Sequence, residues 1–201
     1  SSYAIVDNRL EITTKTKDIT IVTTFQSYED TKTIKVSNYI YNDSDKEVII
    51  ESLSSLRFAG LGENGCESLK NLFVHKFVNS WHVECQVKKE SLWDAILYNG
   101  NVQSMKRYLV SNTGSWSTKE FLPQAIIEDT DKKKFLFFQI ESSSSWAFEI
   151  GDEDKHLYLN AGGPNMTDHD AGIKVGVSIK PKTNVLLVIS PAKHLLSNID
   201  V

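Results

Sequence analysis

Trp81-His82-Val83-Glu84-Cys85-Gln86-Val87-Lys88 alternates apolar and polar residues without a break. Successive side chains of an extended chain point to opposite faces, so the pattern predicts a half-exposed β-strand. Trp81, Val83, Cys85 and Val87 are expected to face inward, with His82, Glu84, Gln86 and Lys88 in solvent. The same period of two recurs at Ile34 and Val36, at Trp146, Phe148 and Ile150, and at Ile173, Val175, Val177 and Ile179. Helical periodicity is almost absent.

Two further stretches are apolar on both faces: Phe135-Leu136-Phe137-Phe138-Gln139-Ile140 and Val185-Leu186-Leu187-Val188-Ile189. A strand of this kind must be covered twice, which predicts central strands. Turn-forming residues separate the strands at Asn42-Asp43-Ser44-Asp45, Gly62-Glu63-Asn64-Gly65, Asn99-Gly100-Asn101, Asp129-Thr130-Asp131, Gly151-Asp152-Glu153-Asp154 and Pro181-Lys182-Thr183-Asn184. Many short strands at regular spacing predict an all-β antiparallel sandwich, one domain spanning residues 1–201. The run from Pro191 to Asp200 is expected to form a short helix or to continue outward, docked by its apolar residues.

The chain carries 22 basic and 26 acidic residues and a formal charge of -4. That balance offers no electrostatic footprint for nucleic acid or an anionic membrane, and neither partner is expected. No apolar run approaches the ~20 residues that span a bilayer. Cys66 and Cys85 match no zinc or redox spacing, and the alternation predicts a buried thiol at Cys85. The opening Ser1-Ser2-Tyr3-Ala4-Ile5-Val6-Asp7 shows no basic segment followed by an apolar one, so no signal peptide is visible and a cytoplasmic location is expected.

Catalytic candidates are sparse. Asp43, Asp45, Asp152 and Asp154 fall in predicted turns, while Glu84 and Glu149 fall on polar strand faces, where solvation is the simpler account. Asp168-His169-Asp170 is the densest polar cluster but lacks the further spaced ligands of a metal site, and neither metal nor cofactor is expected. Ser115, Ser117 and the run Ser142 to Ser145 lack a nucleophile elbow, and Gly162-Gly163-Pro164 lacks the Lys-Ser/Thr of a phosphate loop and reads as a tight turn. Trp faces suit sugar rings, which singles out Trp81, Trp93, Trp116 and Trp146 for carbohydrate contact. Trp81 and Trp146 alternate with core positions. Trp116 instead lies among short polar residues, beside Lys119 and Glu120, where it is placed to meet a partner domain or a ligand.

The run Gly114-Ser115-Trp116-Ser117-Thr118-Lys119-Glu120-Phe121-Leu122-Pro123 is followed by Gln139-Ile140-Glu141, Ser145-Trp146-Ala147-Phe148-Glu149-Ile150 and Gly162-Gly163-Pro164. Together with the earlier Asn79-Ser80-Trp81, this order resembles the N-terminal region of the α-galactosidases of glycoside hydrolase family 36. Where familiar members carry Ser-Ser-His and then Asn-Pro-Phe, this chain has Ser117 to Pro123, and it lacks their Arg-rich stretch near Trp81, so it looks like a divergent member.

The resemblance implies a β-supersandwich, a large antiparallel two-sheet fold shared with galactose mutarotase-like proteins. It further implies that the catalytic Asp pair lies in a (β/α)8 barrel following this domain, with a retaining mechanism in the parent enzyme. The chain itself is then a non-catalytic domain. Its implied partners are the barrel of the same polypeptide, other subunits of a homo-oligomer and, through the parent enzyme, α-galactosides such as melibiose or raffinose. Two other readings compete with this one. An independent carbohydrate-binding module predicts a Trp-lined groove, and a mutarotase-like epimerase requires His82, His156 and Glu149 to converge.

Overall fold

The computed structural model describes residues 1–50, 54–96, 106–141, 145–163, 177–182, 184–187 and 193–197. Strands β1 (Ser2–Val6), β2 (Arg9–Lys15), β3 (Ile19–Tyr28) and β4 (Thr33–Asn42) form an antiparallel meander. After β5 (Val48–Ile50) and β6 (Ser54–Leu61) comes a 3-10 segment, Gly65–Asn71, then the hairpin of β7 (Leu72–Ser80) and β8 (Val83–Ser91) and the short helix α1 (Leu92–Ile96). The chain continues through β9 (Tyr108–Asn112), β10 (Phe121–Asp129), β11 (Lys134–Gln139), β12 (Trp146–Glu153) and β13 (His156–Gly162). It closes with β14 (Val177–Ile179), β15 (Asn184–Leu187) and β16 (Lys193–Ser197).

Ten strands build one sheet in the order β1-β2-β3-β4-β16-β11-β10-β7-β8, with β15 also paired to β4. A second sheet, β6-β13-β12-β9, lies against it, and β14 and β5 form a two-stranded ribbon. Among the described residues all the pairings are antiparallel. The described residues adopt the expected all-β antiparallel architecture, two packed sheets, with the β5–β14 ribbon as a small third sheet beyond the two expected.

The core fills the space between the second sheet and the β7, β10 and β11 part of the first. Trp146, Phe148 and Ile150 of β12 are buried, as the alternation predicts, and they meet Val74, Ile127 and Phe138 from the opposing sheet. Phe138 and Phe148 pack edge to face at 5.0 Å, and Phe148 stacks on Trp146 at 6.3 Å, both favourable ring geometries. The 3-10 segment and α1 close one side with Cys66, Leu69, Leu92 and Ile96. On β4 the buried row is Val36, Asn38, Ile40 and Asn42, in phase with the predicted alternation, but Ile34, expected inward with Val36, is exposed near the start of the strand. As expected, β11 is central, lying between β10 and β16.

The opening stretch is a strand, but its predicted facing is wrong. Every residue from Val83 to Lys89 is exposed, Trp81 is 77% exposed, and the Cys85 thiol is exposed as well. Two causes act together. β8 is the edge of the large sheet, and it contains a bulge: Val78 faces Gln86 while Ser80 faces Val83, so β8 holds one extra residue there. Cys85 adopts φ 55 within the bulge. The extra residue inverts the phase of the strand, so Val87, opposite Phe77, and Val83, opposite Ser80, lie on different faces.

Two other expectations are corrected. The turn placed at Gly151-Asp152-Glu153-Asp154 is displaced, because β12 runs through Glu153 and the hairpin turns at Asp154-Lys155, both with positive φ. A Cβ at position 151 would stand 2.7 Å from the Tyr158 hydroxyl, so Gly151 is a packing requirement within the strand. The C-terminal run forms no helix over Lys193–Ser197. It is strand β16, which pairs with β11 on one side and β4 on the other. Both neighbours present unpaired backbone groups there, and an inserted strand satisfies both edges while a helix satisfies neither. The turns at Asn42–Asp45, Gly62–Gly65 and Asp129–Asp131 lie where expected. Residues 99–101 lie outside the described residues, as do 173–176 of the predicted strand that ends in β14.

Candidate functional site

The segment 113–120 crosses from β9 in one sheet to β10 in the other. Gly114 opens it at φ 91, a left-handed conformation that a side chain resists. Three consecutive carbonyls are then fixed by side chains from three strands. Asn112 Nδ2 donates to the Trp116 carbonyl at 2.7 Å, Trp146 Nε1 to the Ser117 carbonyl at 2.6 Å, and Asn79 Nδ2 to the Thr118 carbonyl at 2.6 Å. Asn112 and Trp146 are themselves buried, so the turn is anchored in the core. The indole N–H of Trp116 donates to Thr118 Oγ1 at 3.1 Å, and its ring is 57% exposed.

Asn79 also joins this turn to the β7–β8 hairpin. Its backbone N–H donates to the Glu120 carbonyl at 2.7 Å, and its Oδ1 accepts the Cys85 N–H at 3.2 Å across the bulge. At the tip of that hairpin Trp81 stands edge-on to His82, ring centroids 5.4 Å apart, and the His82 N–H donates to Glu84 Oε1 at 3.1 Å. One end of the sandwich therefore displays two exposed Trp rings on a rigid base. Trp116, Lys119 and Glu120 lie on this one exposed turn, where the Lys119 N–H donates to the Trp116 carbonyl at 3.3 Å and Lys119 and Glu120 form an exposed ion pair at 3.8 Å. A solvated pair of this kind contributes little stability, and it leaves the turn with a polar, solvent-exposed edge. The part of Asn79 is not visible in the sequence, since its side-chain partners lie on a distant turn and in the bulge of the neighbouring strand.

The remaining candidates separate. Trp146 is fully buried, and Trp93 packs on the core with Lys70 Nζ 5.2 Å from its ring centre. The Trp residues thus line no common groove. His156 faces Glu153 across the β12–β13 ladder while Glu149 faces Asn160, four residues away or ~13 Å at strand spacing, and His82 sits on the other sheet. These three do not converge. Glu149 is no solvated face residue but is held by Arg107 at 2.7 Å and by the Tyr158 hydroxyl. Asp152, expected in a turn, is buried within β12. Asp168-His169-Asp170 and residues 142–144 lie outside the described residues, and Ser145 is buried. Gly162 ends β13 and Gly163 follows in a bend, while residue 164 lies outside the described residues. Among the described residues no three metal-ligating side chains cluster.

Two charged groups appear that sequence reasoning missed. On the outer face of the large sheet, Glu128 of β10 is bonded by His75 Nε2 at 2.6 Å and Lys89 Nζ at 2.7 Å. Burial raises the Glu128 pKa, but the hydrogen bonds from Lys89 and His75 outweigh it and hold the carboxyl below its usual value. On the opposite face Glu90 pairs with Lys76 at 2.7 Å and accepts the Tyr108 hydroxyl at 2.7 Å. Burial is again outweighed, and Glu90 is held low, while burial and the Glu90 contact push Tyr108 up. A general acid for glycoside cleavage needs a raised carboxyl pKa. Both groups are shifted the other way, as ion-pair anchors between strands are.

No family model and no curated protein matches the sequence. Solved structures match the fold. The α-galactosidase from Lactobacillus brevis aligns with a TM-score of 0.72 and 11% identity over 94% of this chain and 23% of that one. The family 36 α-galactosidase AgaA from Geobacillus stearothermophilus aligns with a TM-score of 0.73 and 12% identity over 94% of this chain and 24% of that one. A protein from Synechocystis aligns more loosely, with a TM-score of 0.50 and 12% identity over 97% of this chain and 64% of that one. The chain therefore spans about a quarter of the length of the α-galactosidases it matches. At these identities the likeness is one of fold alone, that of a β-domain of family 36 enzymes.

Proposed function

We propose that this chain is the non-catalytic N-terminal β-domain of a glycoside hydrolase of the α-galactosidase type, docking on a catalytic barrel through the end that carries Trp116 and Trp81. The observation that carries the reading is the extent of the match, which covers 94% of this chain and only 24% of AgaA. The surface supports it. Large rings held on a rigid base, with a polar rim, are the usual anchors of a protein interface. Trp116 has its N–H already bonded within its own turn, so what remains to a partner is the face of the ring, a packing surface.

In this reading hydrolysis of α-galactosides such as melibiose or raffinose belongs to the whole enzyme, with oligomer contacts and pocket shape as this domain's contribution. The test is the reading frame in the native gene. It should continue past Val201 into a (β/α)8 barrel, and the encoded full-length protein should release p-nitrophenol from its α-galactoside while the 201-residue chain does not. A frame that closes near Val201, or turnover by the chain alone, would overturn the proposal.

A further inference from the structure

One face of the β2–β4 meander gathers tyrosines and balanced charges. In the ladder, Arg9 lies opposite Gln26 and Glu11 opposite Thr24 on β2 and β3, while Gln26 lies opposite Lys35 and Val22 opposite Tyr39 on β3 and β4. Directly opposed residues of an antiparallel pair share a face, so these side chains lie on one side of the sheet. Tyr41 follows Tyr39 by two residues on that side, and Tyr28 stands at its far end opposite Thr33. The row lines a groove of ≈ 500 Å³ running along β4.

Three properties define what the groove can hold. Tyr39 and Tyr41 are half-buried and Tyr28 is 47% exposed, so part of each ring meets solvent. None of the three hydroxyls makes a hydrogen bond among the described residues. Both cations of the groove are already paired, Arg9 with Glu11 at 3.6 Å and Lys35 with Glu141 at 3.0 Å. With its charges balanced, the groove has no preference for an ionic ligand, and the chain's formal charge of -4 disfavours a polyanion. An added peptide strand is excluded as well, because the backbone groups of β3 are paired on both sides beneath the groove.

We propose that this face binds a neutral oligosaccharide, its pyranose rings lying on Tyr39, Tyr41 and Tyr28 and its hydroxyls bonded by Gln26, Arg9 and Glu11. A pyranose offers an apolar C–H face and a rim of hydroxyls, which matches flat rings flanked by groups that both donate and accept. Tyr39 and Tyr41 are ~7 Å apart along β4, and Tyr28 lies ~20 Å from the Tyr39 row, so the groove takes several rings in line. The proposal goes beyond the docking role and does not rest on it, since a sugar platform serves a free-standing chain and an enzyme domain alike.

The test is calorimetry of the 201-residue chain with stachyose and galactomannan oligosaccharides, and with heparin oligosaccharide as the charged comparison. Saturable heat is expected with at least one neutral sugar and not with heparin, and the Tyr39→Ala, Tyr41→Ala double variant should weaken it by about tenfold or more. Chemical-shift mapping on the unaltered chain gives a second readout that does not require the variant to fold. Perturbations should concentrate in β2, β3 and β4. Absence of saturable heat with any neutral sugar at millimolar concentration, binding of heparin alone, or perturbations centred elsewhere would each overturn the proposal.

Discussion

Asn79→Ala removes two side-chain hydrogen bonds at once, the one that its Nδ2 gives to the Thr118 carbonyl and the one that its Oδ1 takes from the Cys85 N–H. The first joins segments distant in the chain and the second closes the bulged hairpin, so their loss frees the Trp116 turn and the β7–β8 tip together. The variant should unfold with a stability lower by about 1–3 kcal/mol in urea denaturation, with the Trp81 and Trp116 fluorescence changing before the global transition. The two thiols give a simpler reading. Cys85 is exposed and Cys66 buried, so a disulfide-exchange reagent should titrate one thiol in the native protein and both in denaturant. Alternation alone assigns Cys85 to the core, and this measurement separates that reading from the bulged one.

Among the elements, the β7, β8 and β10 face is stabilised by ionised Glu128 between His75 and Lys89. Its carboxyl pKa is lower in the folded chain than in the unfolded one. The unfolded state therefore binds the proton more tightly, and stability rises with pH through the interval between the two values. The contribution is complete above the ordinary carboxylate value and is lost as pH falls through the depressed one. Glu128→Gln should accordingly be less stable than the parent near neutral pH and should show a shallower loss of stability on acidification, as read by thermal melts across the acid range.

The sequence conveys these elements unevenly. The strand Trp146–Ile150 is legible because its alternation is the burial pattern itself, with Trp146, Phe148 and Ile150 in the core. The strand after Trp81 shows equally clean alternation and is still misread. Its edge position and its bulge arise from pairing with β7, a property of two strands that no period within one of them records. The run around Lys193–Ser197 fails for the same reason, since it becomes a strand by filling a gap between β4 and β11.

At the scale of the whole molecule, the core joins the two sheets through the aromatic contacts of Phe148 with Phe138 and Trp146. Phe148→Ala empties a fully enclosed site at the centre of that contact. It should cost about 3–5 kcal/mol, seen as a lower denaturation midpoint for the entire chain, since strands of both sheets depend on the same ring. Of the candidate sites, the sequence marks Trp116, Lys119 and Glu120 as a polar run interrupted by a ring, and the fold does place them on one exposed turn. The Tyr groove escapes notice because its members come from β3 and β4, and only the ladder register puts Tyr28 on the same face as Tyr39 and Tyr41.

By itself the sequence determines that this is an antiparallel β protein, where several of its turns fall and that Val36 of β4 and Trp146, Phe148 and Ile150 of β12 are buried, since all of these follow from preferences between near neighbours. Only the tertiary structure decides which strand is an edge and where a bulge reverses its faces. It alone brings Asn112, Trp146 and Asn79 onto three successive carbonyls, and gathers the tyrosines into one row. Those properties depend on pairing between segments far apart in the chain, where hydrogen-bond satisfaction and close packing choose among arrangements that local periodicity leaves equivalent.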